Sequence, residues 1–252
     1  MKTNRKKRII RFLIGFPVLA AIAVGGALGI TRMVCTGAVI PNNFYISETD
    51  ITGCDVSRYQ GAIQWDVLSC QDISFAFIKA TEGSSHVDPN FSQNWEQAFQ
   101  TDLLVGAYHF FSFESPGESQ AAHFTQTVPL KKNMLPPVVD IEFYGNYNAQ
   151  NTNSSDVREE LDAFLLTAEE FYGTKPIIYT TLEAYDHFLK GSYEEYPLWI
   201  RSVLTPPRID REWDFWQYTN RGQLPGYSGP ERYIDLNMFR GDMNMLQEML
   251  IR

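Results

Sequence analysis

From residue 51 to the C-terminus, short apolar runs alternate with longer stretches in which apolar positions recur every three or four residues. Eight of the runs read as strands: Ile51–Val56, Phe75–Ala80, Leu104–Phe111, Pro137–Phe143, Pro176–Thr180, Leu198–Arg201, Phe215–Tyr218 and Tyr233–Met238. Helical patterns lie between the earlier ones. Asp88 can cap a helix that has Pro89 at its first position, and Phe91, Trp95, Ala98 and Phe99 then share one face. A clearer stripe runs from Ser155 to Tyr172 through Val157, Leu161, Phe164, Leu165, Ala168 and Phe171, with a serine cap before it and Gly173 as its stop. Weaker helices fit Ala62–Cys70, Ser119–Thr127 and Leu182–Leu189. After Trp199 the strands crowd together with little room for helices. The pattern predicts an α/β fold, an irregular TIM-like barrel of about eight strands and five helices, with its chemistry at the carboxyl ends of the strands.

The first fifty residues follow different rules. Six basic residues stand among the first eleven, and Phe12 to Thr31 is a run of 20 residues without a charge. As a helix that run would be about 30 Å long, enough to cross a bilayer, and the flanking basic residues would stay cytoplasmic. The reading is a basic segment over residues 1–11, a transmembrane signal anchor over 12–31, a spacer over 32–50 and one catalytic domain over 51–252. A cleaved signal peptide is the competing reading, favoured by the small residues Ala21, Ala23, Gly25 and Ala27 but opposed by the length of the apolar run. Either way the body lies outside the cytoplasm.

Charge narrows the function. Residues 1–32 hold seven of the 21 Lys and Arg and no acid, so the rest of the chain sets 14 bases against 30 acids, a net charge of −16. A body this acidic repels polyphosphates, which excludes a general nucleic-acid binder. Cys54 and Cys70 could pair in an oxidising compartment, with Cys35 left over near the membrane. Three cysteines without a CxxC and four scattered histidines give no support for a metal site. No G-x-S-x-G, P-loop or G-x-G-x-x-G is present, so serine hydrolases, nucleotide hydrolases and dinucleotide enzymes lose their usual sequence support, and no cofactor is implied.

Acidic residues end several of the predicted strands. Asp140 and Glu142 close the run LPPVVDIEF, and strand alternation points both to one side about 7 Å apart. A buried pair of carboxylates raises the pKa of one member, which suits a general acid beside an ionised partner. Asp55 closes the first strand and Asp235 lies in the last, so closure of the barrel would bring them to the same mouth. Tyr108, Tyr179, Trp199, Trp216 and Gln217 cluster at the same ends and are candidates for sugar contact. His109 neighbours Tyr108 and therefore faces the other way, which favours a structural role.

The motifs DVSRYQGAIQWDVL, FAFIKATEGSSHVDPNFSQNWEQA, VGAYHFF, PPVVDIEF, PIIYTT, LWI, FWQYT and YIDLNMF resemble, in sequence and in order, those of glycoside hydrolase family 25, the Chalaropsis-type lysozymes. The resemblance runs from about Cys54 to Phe239. It implies a flattened barrel and hydrolysis of the β-1,4 bond between N-acetylmuramic acid and N-acetylglucosamine in peptidoglycan. By motif, Glu142 matches the general acid and Asp140 its partner, while Asp55 and Asp235 match acids lining the site. The partners implied are peptidoglycan glycan strands, the membrane through residues 12–31 and an envelope assembly served by local opening of the wall. A catalytically weak glycan-binding or scaffold protein of the same fold is the alternative, opposed by the presence of all four acids.

Overall fold

The computed structural model describes residues 26–252, in two compact units, the first ending at Pro41 and the second spanning Asn42–Arg252. In the first unit, residues 26–35 form helix α1. Its ten described residues include Arg32. Among the described residues no helix is long and apolar enough to cross a membrane. The fold therefore differs from the expected one: its described elements include no membrane helix ahead of the barrel. Most of the expected span over 12–31 lies outside the described residues.

The second unit contains β1 (Ile51–Val56), α2 (Trp65–Leu68), β2 (Phe75–Glu82), β3 (His86–Val87), α3 (Phe91–Ala98), β4 (Leu104–Phe110) and α4 (Gly117–Thr127). It continues with β5 (Val138–Ile141), α5 (Ser154–Tyr172), β6 (Ile177–Thr181), α6 (Leu182–Ala184), β7 (Leu198–Arg201), β8 (Phe215–Gly222), β9 (Ile234–Phe239) and α7 (Met243–Glu248). All eight strand candidates form strands; β3 adds a two-residue hairpin arm to β2. Counting α1, seven α-helices are described, two more than the pattern predicted. The unpredicted helix of the barrel unit, α7, is only six residues long and is started by Asp242, whose side chain accepts from Met245 N–H at 2.9 Å. The Leu182–Leu189 pattern is helical in another sense, since α6 passes directly into a π-turn over Tyr185–Leu189.

Eight strands close in the order β1-β9-β8-β7-β6-β5-β4-β2, with β2 pairing back to β1. Seven are parallel. β9 is antiparallel to both neighbours, β8 and β1, because it returns from β8 without a helical crossover. The outer faces lie under helices: α5 buries Val157, Leu161, Phe164, Leu165 and Ala168, is capped by Asn153 and ends on Gly173 at φ 69°. His109 points into this layer, fully buried between Thr81 Oγ1 (2.7 Å) and Gln120 Oε1 (3.0 Å) and stacked on Phe164. Burial lowers its pKa to about 3, so it is a neutral packing residue.

The barrel interior below the mouth is filled by Phe75, Phe77, Leu135, Val138, Ile177, Trp199, Phe215 and Phe239, with Leu246 of α7 closing the bottom. Two glycines make room for the rings. A Cβ on Gly53 would stand 2.5 Å from the Phe75 ring, and one on Gly106 2.5 Å from the Phe77 ring and 3.1 Å from Leu135. Phe77 is itself pinned by Trp199 and Phe215. Gly106→Ala is therefore expected to cost about 1–3 kcal/mol of unfolding free energy, the usual penalty of overpacking, measured as a lowered urea midpoint.

Residues 42–50, just before β1, belong to the barrel unit. Asn42 is fully buried, and its Nδ2 donates to the carbonyls of Ser202 and Tyr218, both at 2.8 Å. The later part of the segment read as a spacer is thus clasped to the end of β7 and the middle of β8. Cys54 and Cys70 are unpaired thiols, Cys54 buried on the outer side of β1 and Cys70 exposed.

Candidate active site

Alternation along each strand determines what reaches the barrel mouth. β1 presents Asp55, β2 Lys79, β4 Tyr108, β5 Asp140 and then Glu142, β6 Tyr179, β7 Arg201, β8 Gln217 and β9 Asp235. All nine positions line one groove of about 1030 Å³, floored by Trp199 and walled by Phe110, Phe143 and Leu204. Because β9 runs antiparallel, Asp235 lies near its start and still reaches the mouth. Its Cα partner in the ladder is Asp55. In the ring of eight, β5 and β9 are four places apart, so the Asp140–Glu142 pair stands opposite the Asp55–Asp235 pair.

The second pair is held by a polar network. Asp55 Oδ2 accepts from Gln217 Nε2 (3.0 Å) and Asn237 Nδ2 (2.9 Å). Tyr179 donates its hydroxyl to Gln217 Oε1 (3.0 Å), and Trp199 Nε1 donates to Asn237 Oδ1 (2.9 Å). These two bonds orient both amides so that their NH₂ groups face Asp55. Asp55 also faces Asp235, its partner in the ladder, whose side chain helps to hold Asp55 ionised. Burial raises both pKa values; the amide donors offset this at Asp55, whereas the charge of Asp55 pushes Asp235 further up. Asp55 is accordingly the more readily ionised member of the pair and Asp235 the one that holds a proton more tightly. Tyr179→Phe removes the bond that orients Gln217 and is expected to lower kcat/KM about fivefold, the equivalent of one hydrogen bond of roughly 1 kcal/mol, in steady-state assays of glycan cleavage.

The first pair is less satisfied. Asp140 is 8% exposed, and its buried Oδ1 has no hydrogen-bond partner among the described residues. Burial, then the charge of Glu142, lifts its pKa well above the ordinary carboxylate value. Burial also raises Glu142, against the nearby positive charge of Arg201. Two like charges in so dry a place oppose each other's ionisation, so the pair holds a proton to higher pH than separate exposed carboxylates would. In the free protein the more deeply buried Asp140 attracts it more strongly.

Of the expected sugar contacts, Tyr108, Tyr179, Trp199 and Gln217 line the groove and Trp216 does not. Phe215 and Gln217 face inward, so Trp216 between them faces outward, against Trp213 and Tyr218, with Nε1 donating to the Ser202 carbonyl at 2.9 Å. Sequence reasoning misses Lys79, Arg201 and Asn237. Each has a signal: Lys79 and Arg201 lie at the ends of apolar runs in predicted strands, and Asn237 lies two residues beyond Asp235 on the same face.

A barrel that gathers paired carboxylates beside aromatic walls has the equipment for acid–base cleavage of a glycosidic bond. Comparison with known proteins carries this to a family. The sequence profile described as "Glycosyl hydrolases family 25" matches residues 54–227. Protein YegX of Escherichia coli K12 is 39% identical over 204 residues, covering 78% of this chain and 72% of that protein. Lysozyme M1 of Streptomyces globisporus is 31% identical over 203 residues, covering 76% and 68%. The solved structure of a family 25 glycosyl hydrolase from Bacillus anthracis superposes with a TM-score of 0.76 at 50% identity, covering 81% of this chain and 94% of that one. The chain belongs to glycosyl hydrolase family 25 and is a glycoside hydrolase.

Proposed function

We propose that this protein is a lysozyme that hydrolyses the β-1,4 bond between N-acetylmuramic acid and N-acetylglucosamine in peptidoglycan, with its catalytic domain acting outside the cytoplasm, where that polymer lies. The observation that carries the reading is the Asp140–Glu142 pair on one strand end in a carbohydrate-sized groove, facing a second, hydrogen-bonded acid pair. The relatives named lysozyme or muramidase support the substrate class.

In the proposed mechanism Glu142 protonates the leaving O4 while the 2-acetamido carbonyl of the muramic residue attacks C1. Asp140 Oδ1, buried and without a protein partner among the described residues, accepts the acetamido N–H. That new hydrogen bond favours ionised Asp140, so substrate binding moves the shared proton towards Glu142, where the leaving group needs it. Glu142, now a base, then activates the water that opens the oxazolinium ring. Asp55 and Asp235, with Tyr179 and Gln217, bind and orient the sugar opposite.

Two displacements at C1 retain configuration. Proton NMR of the first-formed product should show the β anomer of the new reducing end; an initial α anomer means direct attack of water and removes the acetamido step.

A further inference from the structure

The closed ring of strands places positive charge between the two acid pairs on both sides. β7 with Arg201 is two places from β5 and two from β9, while β2 with Lys79 is two places from β5 and next to β1, which carries Asp55. The two cations are not equivalent. Lys79 is paired with Glu82 at 2.8 Å and lies over the Phe110 ring. Arg201 is half-buried in the groove wall between Thr181 and Gln217, and its side chain makes no hydrogen bond or ion pair with any other described residue. It interacts at longer range with all four acids. Arg221, the remaining arginine of the groove, is stacked on Tyr233. A guanidinium whose planar donors are unused in a site of this kind is matched to planar oxygen pairs.

We propose that Arg201 is the specificity residue that distinguishes muramic acid from glucosamine, by donating to the oxygens of the 3-O-lactyl group. This rests on the muramidase reading. The two sugars differ only in that group, which ends in a carboxylate, or in an amide carbonyl where a stem peptide is attached. With the 2-acetamido group held by Asp140 on β5, the neighbouring C3 substituent leaves the same edge of the ring; the cation in reach on the β6 side is Arg201, and the one on the β4 side, Lys79, is already paired with Glu82. Loss of the interaction leaves the catalytic pair in place but removes the preference.

The test is titration calorimetry of the full-length protein with the disaccharide GlcNAc-MurNAc and with chitobiose, alongside peptidoglycan digestion. The parent should bind the lactyl sugar about 10- to 100-fold more tightly, as expected for a charged hydrogen-bonded pair. Arg201→Gln should erase that difference by weakening GlcNAc-MurNAc far more than chitobiose, and Arg201→Lys should restore part of it. A preference that persists in Arg201→Gln, or no preference in the parent, overturns the assignment. If the parent prefers the lactyl sugar through Arg201 yet leaves peptidoglycan uncut, the muramidase reading fails and the assignment of Arg201 stands.

Discussion

Glu142→Gln is expected to lower kcat on purified peptidoglycan by about 10²–10⁴-fold, the usual contribution of a positioned proton donor and acceptor. Glutamine keeps the shape and the hydrogen-bonding oxygen but can neither give a proton to O4 nor take one from water. KM should move little, because the groove walls and the Asp55 network remain. The pH profile adds an independent check. Burial raises the Glu142 pKa from its ordinary 4.5, so the parent should stay active above the pH at which an exposed glutamate has lost its proton. The alkaline limb of kcat/KM should be missing from the residual activity of the variant.

Asp140→Asn is the second large effect, and it separates activity from stability. Without a carboxylate to hold the acetamido N–H, the internal nucleophile is poorly oriented, and kcat should fall by about 10²-fold or more, the cost of misplacing a reacting group. Stability should move the other way. Folded Asp140 holds its proton more tightly than the unfolded chain, because burial and Glu142 raise its pKa above 3.8. Below that pH both states are protonated and the residue is neutral in effect. As pH rises above 3.8 the unfolded chain releases its proton first, and folding stability declines until the raised native pKa is passed. Asn escapes that loss. The melting temperature of Asp140→Asn should match the parent near pH ~3.5 and exceed it at pH ~7, by about 2–4 °C for each kcal/mol relieved in a domain of this size. An equal or lower melting temperature at neutral pH would show that Asp140 is not held against its charge.

Much of the barrel is legible in the sequence because its strands are short, apolar and punctuated, and the period-2 rule alone places Asp140 beside Glu142. The meeting of Asp55 with Asp235 requires one further step, closure of the sheet, which the register confirms. Reading fails where a single strand is taken without its alternation. Trp216 and Gln217 are adjacent and cannot both enter the groove, since neighbours on a strand face opposite ways. Asn42 is invisible for a different reason: its partners, Ser202 and Tyr218, are 160 and 176 residues away, and nothing local marks it. At the N-terminus the uncharged run predicts a span, whereas its described portion lies in a helix whose described residues, 26–35, include Arg32, and no described helix meets the length and hydropathy of a span. Lys79 and Arg201 escape notice because a charge at a strand end is ordinary; only the ring order shows that the two stand between the acid pairs.

The most direct measurement is digestion of purified peptidoglycan by the full-length protein and by Glu142→Gln, followed by borohydride reduction and mass spectrometry of the fragments. The parent should leave reduced muramic acid at the new ends, and the variant should leave the glycan intact. Reduced glucosamine ends, or equal cleavage by both proteins, would contradict a muramidase that works through Glu142.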